Sequence, residues 1–76
     1  MNADAMIDQL RPVPRERMDD ALLAMLATQE RATGRTMSVF ELPGNGAIFI
    51  VAHTGDAPSR DALRRAVAKH VGGGAA

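Results

Sequence analysis

Hydrophobic and polar positions along the 76-residue chain fall into four blocks. In the first, Met6, Ile7 and Leu10 share one helical face behind Asp4, a candidate cap, and Pro12 ends the segment. Pro12 and Pro14 then form a stiff link. The second block, residues 15–32, repeats at the helical period: Met18, Ala21, Leu22, Met25, Leu26, Gln29 and Ala32 form one stripe. Pro14 suits its first turn, Glu16, Asp19 and Asp20 suit the positive end of the helix dipole, and Gly34 is the expected C′ residue. Leu23 lies off the stripe and hints at a second packed surface.

The third block changes period. Residues 36–42 read TMSVFEL and residues 47–53 read AIFIVAH, two strands separated by Pro43-Gly44-Asn45-Gly46. Glycine and asparagine tolerate positive φ, so the pattern predicts a β-hairpin. A glycine loop that cradles phosphate needs a helix directly after it, and here a strand follows. The fourth block, residues 59–71, is a helix with Leu63, Ala66, Val67 and His70 on its apolar side. Asp56 or Ser59 can cap it, Arg60, Arg64, Arg65 and Lys69 occupy the other side, and Gly72 is the expected stop. The fold class is α+β: a small single domain in the order α(short)-α-β-β-α, with an antiparallel hairpin packed on helices. The domain is expected over residues 1–71, with residues 72–76 as a flexible Gly/Ala tail.

The second strand carries the informative anomaly. Ile48, Ile50 and Ala52 alternate with Ala47, Phe49, Val51 and His53, so both faces are apolar. A half-exposed hairpin strand would alternate with polar residues. Both faces are therefore expected to be covered, by the helices of the chain itself or by a second copy. Joining two hairpins would give a four-stranded sheet across a dimer. A homodimer is the preferred expectation, with Leu23, Phe49 and Val51 at its interface.

Composition narrows the rest. The chain has no cysteine, which excludes disulfides and thiolate metal sites, and only two aromatic residues, both Phe. Nine basic residues balance nine acidic ones, so no bulk field draws the chain to nucleic acid or membrane. Its apolar runs, 21–27 and 47–52, are far shorter than the roughly 20 residues of a membrane span. The N-terminus has no signal-peptide order, so a cytoplasmic location is the default.

Candidate chemistry is thin. His53 and Asp56 sit at a strand end and a turn, too few for a metal site, and His70 lies on the apolar side of the last helix. No serine or threonine stands in a recognisable nucleophile context, and Asp19 and Asp20 point about 100° apart on their helix. No cofactor, metal or catalytic activity is expected. The leading expectation is a homodimeric protein-interaction module: an adaptor, regulator or inhibitor of a larger protein, such as a phage or mobile-element accessory protein that inhibits a bacterial defence system. Its contact residues would be Arg60, Arg64, Arg65 and Lys69, with Asp19, Asp20 and Glu30 as an acidic counterpart. The alternative is a nucleic-acid-binding regulator using the basic helix at 59–71. An enzyme or ligand-binding protein built on His53 and Asp56 comes third.

Overall fold

The computed structural model describes residues 2–44 and 46–75, with side chains through Lys69. Asn45 in the hairpin loop and the side chain of His70 thus lie outside the described residues. The elements are α1 (Ala3–Gln9), β1 (Arg11–Pro12), α2 (Asp20–Thr33), β2 (Thr36–Leu42), β3 (Ala47–His53) and α3 (Arg60–Ala75). The three strands form one antiparallel sheet in the order β1-β2-β3. The class is α+β, and the hairpin gains a third strand that the sequence pattern does not predict. Gly44 and Gly46 turn the chain at φ 97° and 75°, in the left-handed region glycine tolerates.

Each helix begins on a side-chain cap. Asn2, in place of the expected Asp4, caps α1 by accepting the Ala5 N–H at 2.8 Å. The expected single helix at 15–32 is split. A 3₁₀ turn spans Arg15–Arg17, Met18 is extended, and Asp19 opens α2 by accepting the Leu22 N–H at 2.8 Å. A cap residue needs non-helical backbone, so a good acceptor at position 19 moves the start of the helix there. Gly34 ends α2 at φ 69°, as its position predicts. Ser59 caps α3 through the Ala62 N–H. The helix α3 runs past its expected stop at Gly72, to Ala75; Ala76 lies outside the described residues. A glycine in a helix interior costs roughly 1 kcal/mol against alanine, which disfavours continuation without forbidding it.

Alternation of the strands assigns the two cores. Phe49 and Leu42 face α1 and α3, where Ile7 and Val67 complete a cluster bordered by Met6, Leu10, Ala47 and Leu63. On the opposite face Met37 and Val39 meet Leu26 of α2, with Val13, Met18, Leu22 and Ala52 around them. Helices therefore lie on both faces. The α2 face is covered incompletely: Ile48 and Ile50 are 50% and 40% exposed. The strand that is apolar on both sides has one side buried and much of the other open.

Salt bridges tie α1 to α3. Arg60 meets Asp8 at 3.0 Å and Asp4 at 3.9 Å, and Arg64 meets Asp4 at 3.5 Å and Asp61 at 2.8 Å. All five side chains are well exposed, so each pair contributes about 1 kcal/mol or less.

Candidate docking edge of the sheet

The two edges of the sheet are treated differently. On the β2 side, β1 pairs Arg11 with Glu41, and the Val13 N–H donates to the Val39 carbonyl at 2.8 Å. Pro12 falls opposite Phe40, a position whose backbone groups point away from β2, so its missing N–H costs the ladder nothing. Beyond β1, side chains take over. The Met37 N–H donates to Glu30 Oε2 at 3.0 Å, and the Arg15 guanidinium donates to the Met37 carbonyl at 3.4 Å. Arg15 and Glu30 also pair with each other at 3.4 Å. Arg17 extends the same flank by meeting Glu41 at 3.0 Å. This edge is sealed.

The β3 edge is open. Since Val39 turns its backbone groups toward β1, its partner Ile50 belongs to a non-hydrogen-bonded pair with β2. The N–H and C=O groups of Ile48, Ile50 and Ala52 therefore point outward from the sheet. No further strand pairs with β3 among the described residues. The side chains of these same three residues lie on the incompletely covered face. One strip of chain thus presents unpaired backbone and exposed isoleucine together. Unprotected edges of this kind are templates for pairing with another chain.

A groove of roughly 300 Å³ runs between the β3 edge and α3, lined by Ile50, Ala52, Ala62, Ala66, Arg65 and Lys69. Arg35 reaches it from the segment before β2. A second hollow, roughly 360 Å³ in volume, adjoins it and shares Arg35, Ala52, Ala62 and Arg65. Alanines at 62 and 66 keep the wall of α3 low. Among the described residues, no carboxylate pairs with Arg35, Arg65 or Lys69.

The residues singled out from sequence divide accordingly. Arg60 and Arg64 are held by Asp4, Asp8 and Asp61, while Arg65 and Lys69 line the groove. Asp19 is the α2 cap, Asp20 lies in its exposed first turn, and Glu30 seals the β2 edge, so they form no single acidic surface. Two of the three residues expected at a dimer interface need correction: Phe49 and Val51 are 3% and 1% exposed, inside the chain's own core. The reason is that α1 and α3 pack on their face of the sheet, and the apolar residues left outward are Ile48 and Ile50. Leu23 is half-buried on α2. Sequence reasoning did not place the two isoleucines among the contacts, although the apolar alternation of β3 contained the signal for them.

His53 is 5% exposed, and its Nε2 lies 2.7 Å from Ser38 Oγ across the hairpin. Its Nδ1 faces the Thr54 carbonyl at 3.4 Å. A serine bonded to a histidine has the form of a nucleophile–base pair, whose base needs a third group to orient it. Here a backbone carbonyl, not a carboxylate, faces the second ring nitrogen, and the imidazole is enclosed. The contact satisfies a buried polar ring. Asp56 stands apart in an exposed turn. Among the described residues, no three His, Asp or Glu side chains gather as metal ligands. No helix among the described residues is long and apolar enough to cross a membrane. The chain matches no protein-family model, no curated protein and no solved structure.

Proposed function

We propose that this chain is a non-enzymatic protein-interaction module, an adaptor, regulator or inhibitor of a larger protein, that docks through the open edge of β3. One observation carries the reading. The chain closes its β2 edge with a strand and with the Arg15–Glu30 pair, yet leaves Ile48, Ile50 and Ala52 with outward backbone groups beside exposed apolar side chains. Strand addition uses both features, hydrogen bonds for affinity and alternate side chains for selectivity.

Homodimerisation through the same edge is the second reading. Antiparallel two-fold pairing about Ile50 would set Ile48 against Ala52 of the other copy and join two three-stranded sheets into one. The nucleic-acid reading is weaker. Arg60 and Arg64 are engaged by carboxylates, which takes two of the four cations of the basic helix, and Phe49 is buried and Phe40 half-buried, so neither phenylalanine offers an exposed face for stacking.

The test uses three tagged chains as bait in a lysate: the parent, Ile48→Lys/Ile50→Lys at the open edge, and Arg11→Glu at the sealed one. Lysine on an edge strand blocks pairing while staying solvated. The reading expects a protein held by the parent and by Arg11→Glu to be lost from the lysine variant, with circular dichroism confirming that all three are folded. Equal retention by all three would overturn it.

A further inference from the structure

The reading of β3 as a docking edge leaves the chemistry of the incoming chain undefined, and the charges around the edge define it. We infer that the edge accepts an extended acidic segment of another protein, with carboxylates alternating with apolar residues. The inference rests on the docking reading above.

An added strand would place successive side chains on opposite faces of the sheet. Those on the α2 side would lie beside Ile48 and Ile50, whose 50% and 40% exposure offers apolar contact. Those on the other side would enter the groove against α3, where Arg65 and Lys69 stand, with Arg35 at the same end of the strand. All three cations are exposed, and none has a carboxylate partner among the described residues. Arg15, Arg17, Arg60 and Arg64, by contrast, each meet an acidic side chain. Among the described residues, three of the five cations without a carboxylate partner stand beside the unmatched strand; the other two are Arg11 and Arg31. An alternating acidic and apolar segment matches both surfaces in one register.

The same charges disfavour a second copy. Antiparallel pairing about Ile50 brings the Arg35, Arg65 and Lys69 cluster of one copy toward that of the other, across an edge only a few residues long. Like charges set close together at an interface act against the pairing. A basic or neutral strand would forfeit the cationic groove.

The experiment titrates the full-length, isotope-labelled chain with two synthetic peptides of about eight residues, enough to span the seven residues of β3. One alternates valine with glutamate, and the other alternates valine with lysine. A single-stranded oligonucleotide of mixed sequence is the third probe, and sedimentation of the chain alone runs alongside. The expected result is saturable binding of the glutamate peptide, with amide shifts at Ile48, Ile50 and Ala52. Its affinity should fall at least tenfold between about 0.1 M and 1 M salt, as the Debye length drops from roughly 10 to 3 Å. Arg65→Glu should weaken it about tenfold, and Arg31→Glu, on the far helix, should leave it unchanged.

If both peptides shift the edge amides equally, the edge remains a docking site and the acidic preference is wrong. If neither peptide shifts them, the docking reading itself falls. Oligonucleotide binding with the edge amides unmoved would assign Arg35, Arg65 and Lys69 to nucleic acid. A dimer in sedimentation, with the edge amides already protected, would replace the acidic segment with a second copy.

Discussion

Removing the Glu30 carboxylate tests how the β2 edge is closed. Glu30 accepts the Met37 N–H at 3.0 Å and pairs with Arg15, which itself reaches the Met37 carbonyl. Glu30→Ala leaves that amide without its acceptor at a partly buried position. An unsatisfied donor of this kind costs about 1–3 kcal/mol. The lost ion pair, with side chains 50% and 30% exposed, adds about 0–1 kcal/mol. The combined loss, about 1–4 kcal/mol, is a large part of the roughly 4–11 kcal/mol typical of a chain this size. At about 4–8 °C per kcal/mol for a domain of this length, the midpoint should fall by about 4–32 °C. Glu30→Gln is the discriminating control. Its amide oxygen can still accept from Met37 while the charge is gone, so the loss should be about 1 kcal/mol or less. Urea titration followed by far-ultraviolet circular dichroism measures both variants without an intrinsic tryptophan. If Glu30→Gln is as damaging as Glu30→Ala, the ion pair and not the capped amide is what matters. If Glu30→Ala stays within about 0.5 kcal/mol of the parent, side-chain closure of this edge contributes nothing to stability.

Other substitutions probe the remaining contacts. Leu26→Ala removes a fully buried side chain from the cluster that holds α2 to the sheet, and should cost about 2–5 kcal/mol in the same titration. Ser38→Ala strips the buried His53 ring of its 2.7 Å partner and should cost about 1–3 kcal/mol; no loss would mean that water or a rotated ring replaces the hydroxyl. Asp8→Asn breaks an exposed α1–α3 pair, so its effect should be below about 1 kcal/mol and vanish in high salt. Gly34→Ala places a side chain at φ 69° with no neighbour within 4 Å, so only backbone strain acts, and the cost should be about 1 kcal/mol of helix stability.

The hairpin was the most legible part of the sequence. β-Branched and aromatic residues on either side of Pro43-Gly44-Asn45-Gly46 place β2 and β3 at residues 36–42 and 47–53, as observed. The start of α3 at Ser59 is equally local, because its cap is a single side chain. The start of α2 was less clear, since Pro14 and the acidic residues after it suit a 3₁₀ turn as well as an α-helix, and Asp19 decided the matter. β1 left no readable pattern: it is two residues long, one of them proline, and exists because Val13 and Arg11 find partners in β2.

The docking edge was half legible. The sequence marks β3 as apolar on both faces, but which face stays open depends on where α2 lands, and that is a tertiary outcome. Phe49 and Ile50 look alike in the sequence and end up on opposite sides of a buried sheet. Charges behaved similarly. The Asp61–Arg64 pair lies within one turn of helix, whereas Arg60 finds Asp8 far along the chain, so the basic helix read as one surface divides into a paired part and a free part. Glu30 read as a solvated helix residue because nothing local announces that the amide it caps belongs to Met37.

Amide hydrogen exchange of the isolated chain at low concentration addresses the open edge most directly. The account predicts alternation along β3: Phe49 and Val51, bonded to β2, are protected, while Ile48, Ile50 and Ala52 exchange as exposed amides. Met37, Val39 and Glu41 report the opposite edge, where the Met37 amide, held by Glu30, is protected. Continuous protection from Ile48 through Ala52 would contradict the account, because it would mean that the edge assigned to a partner is already occupied.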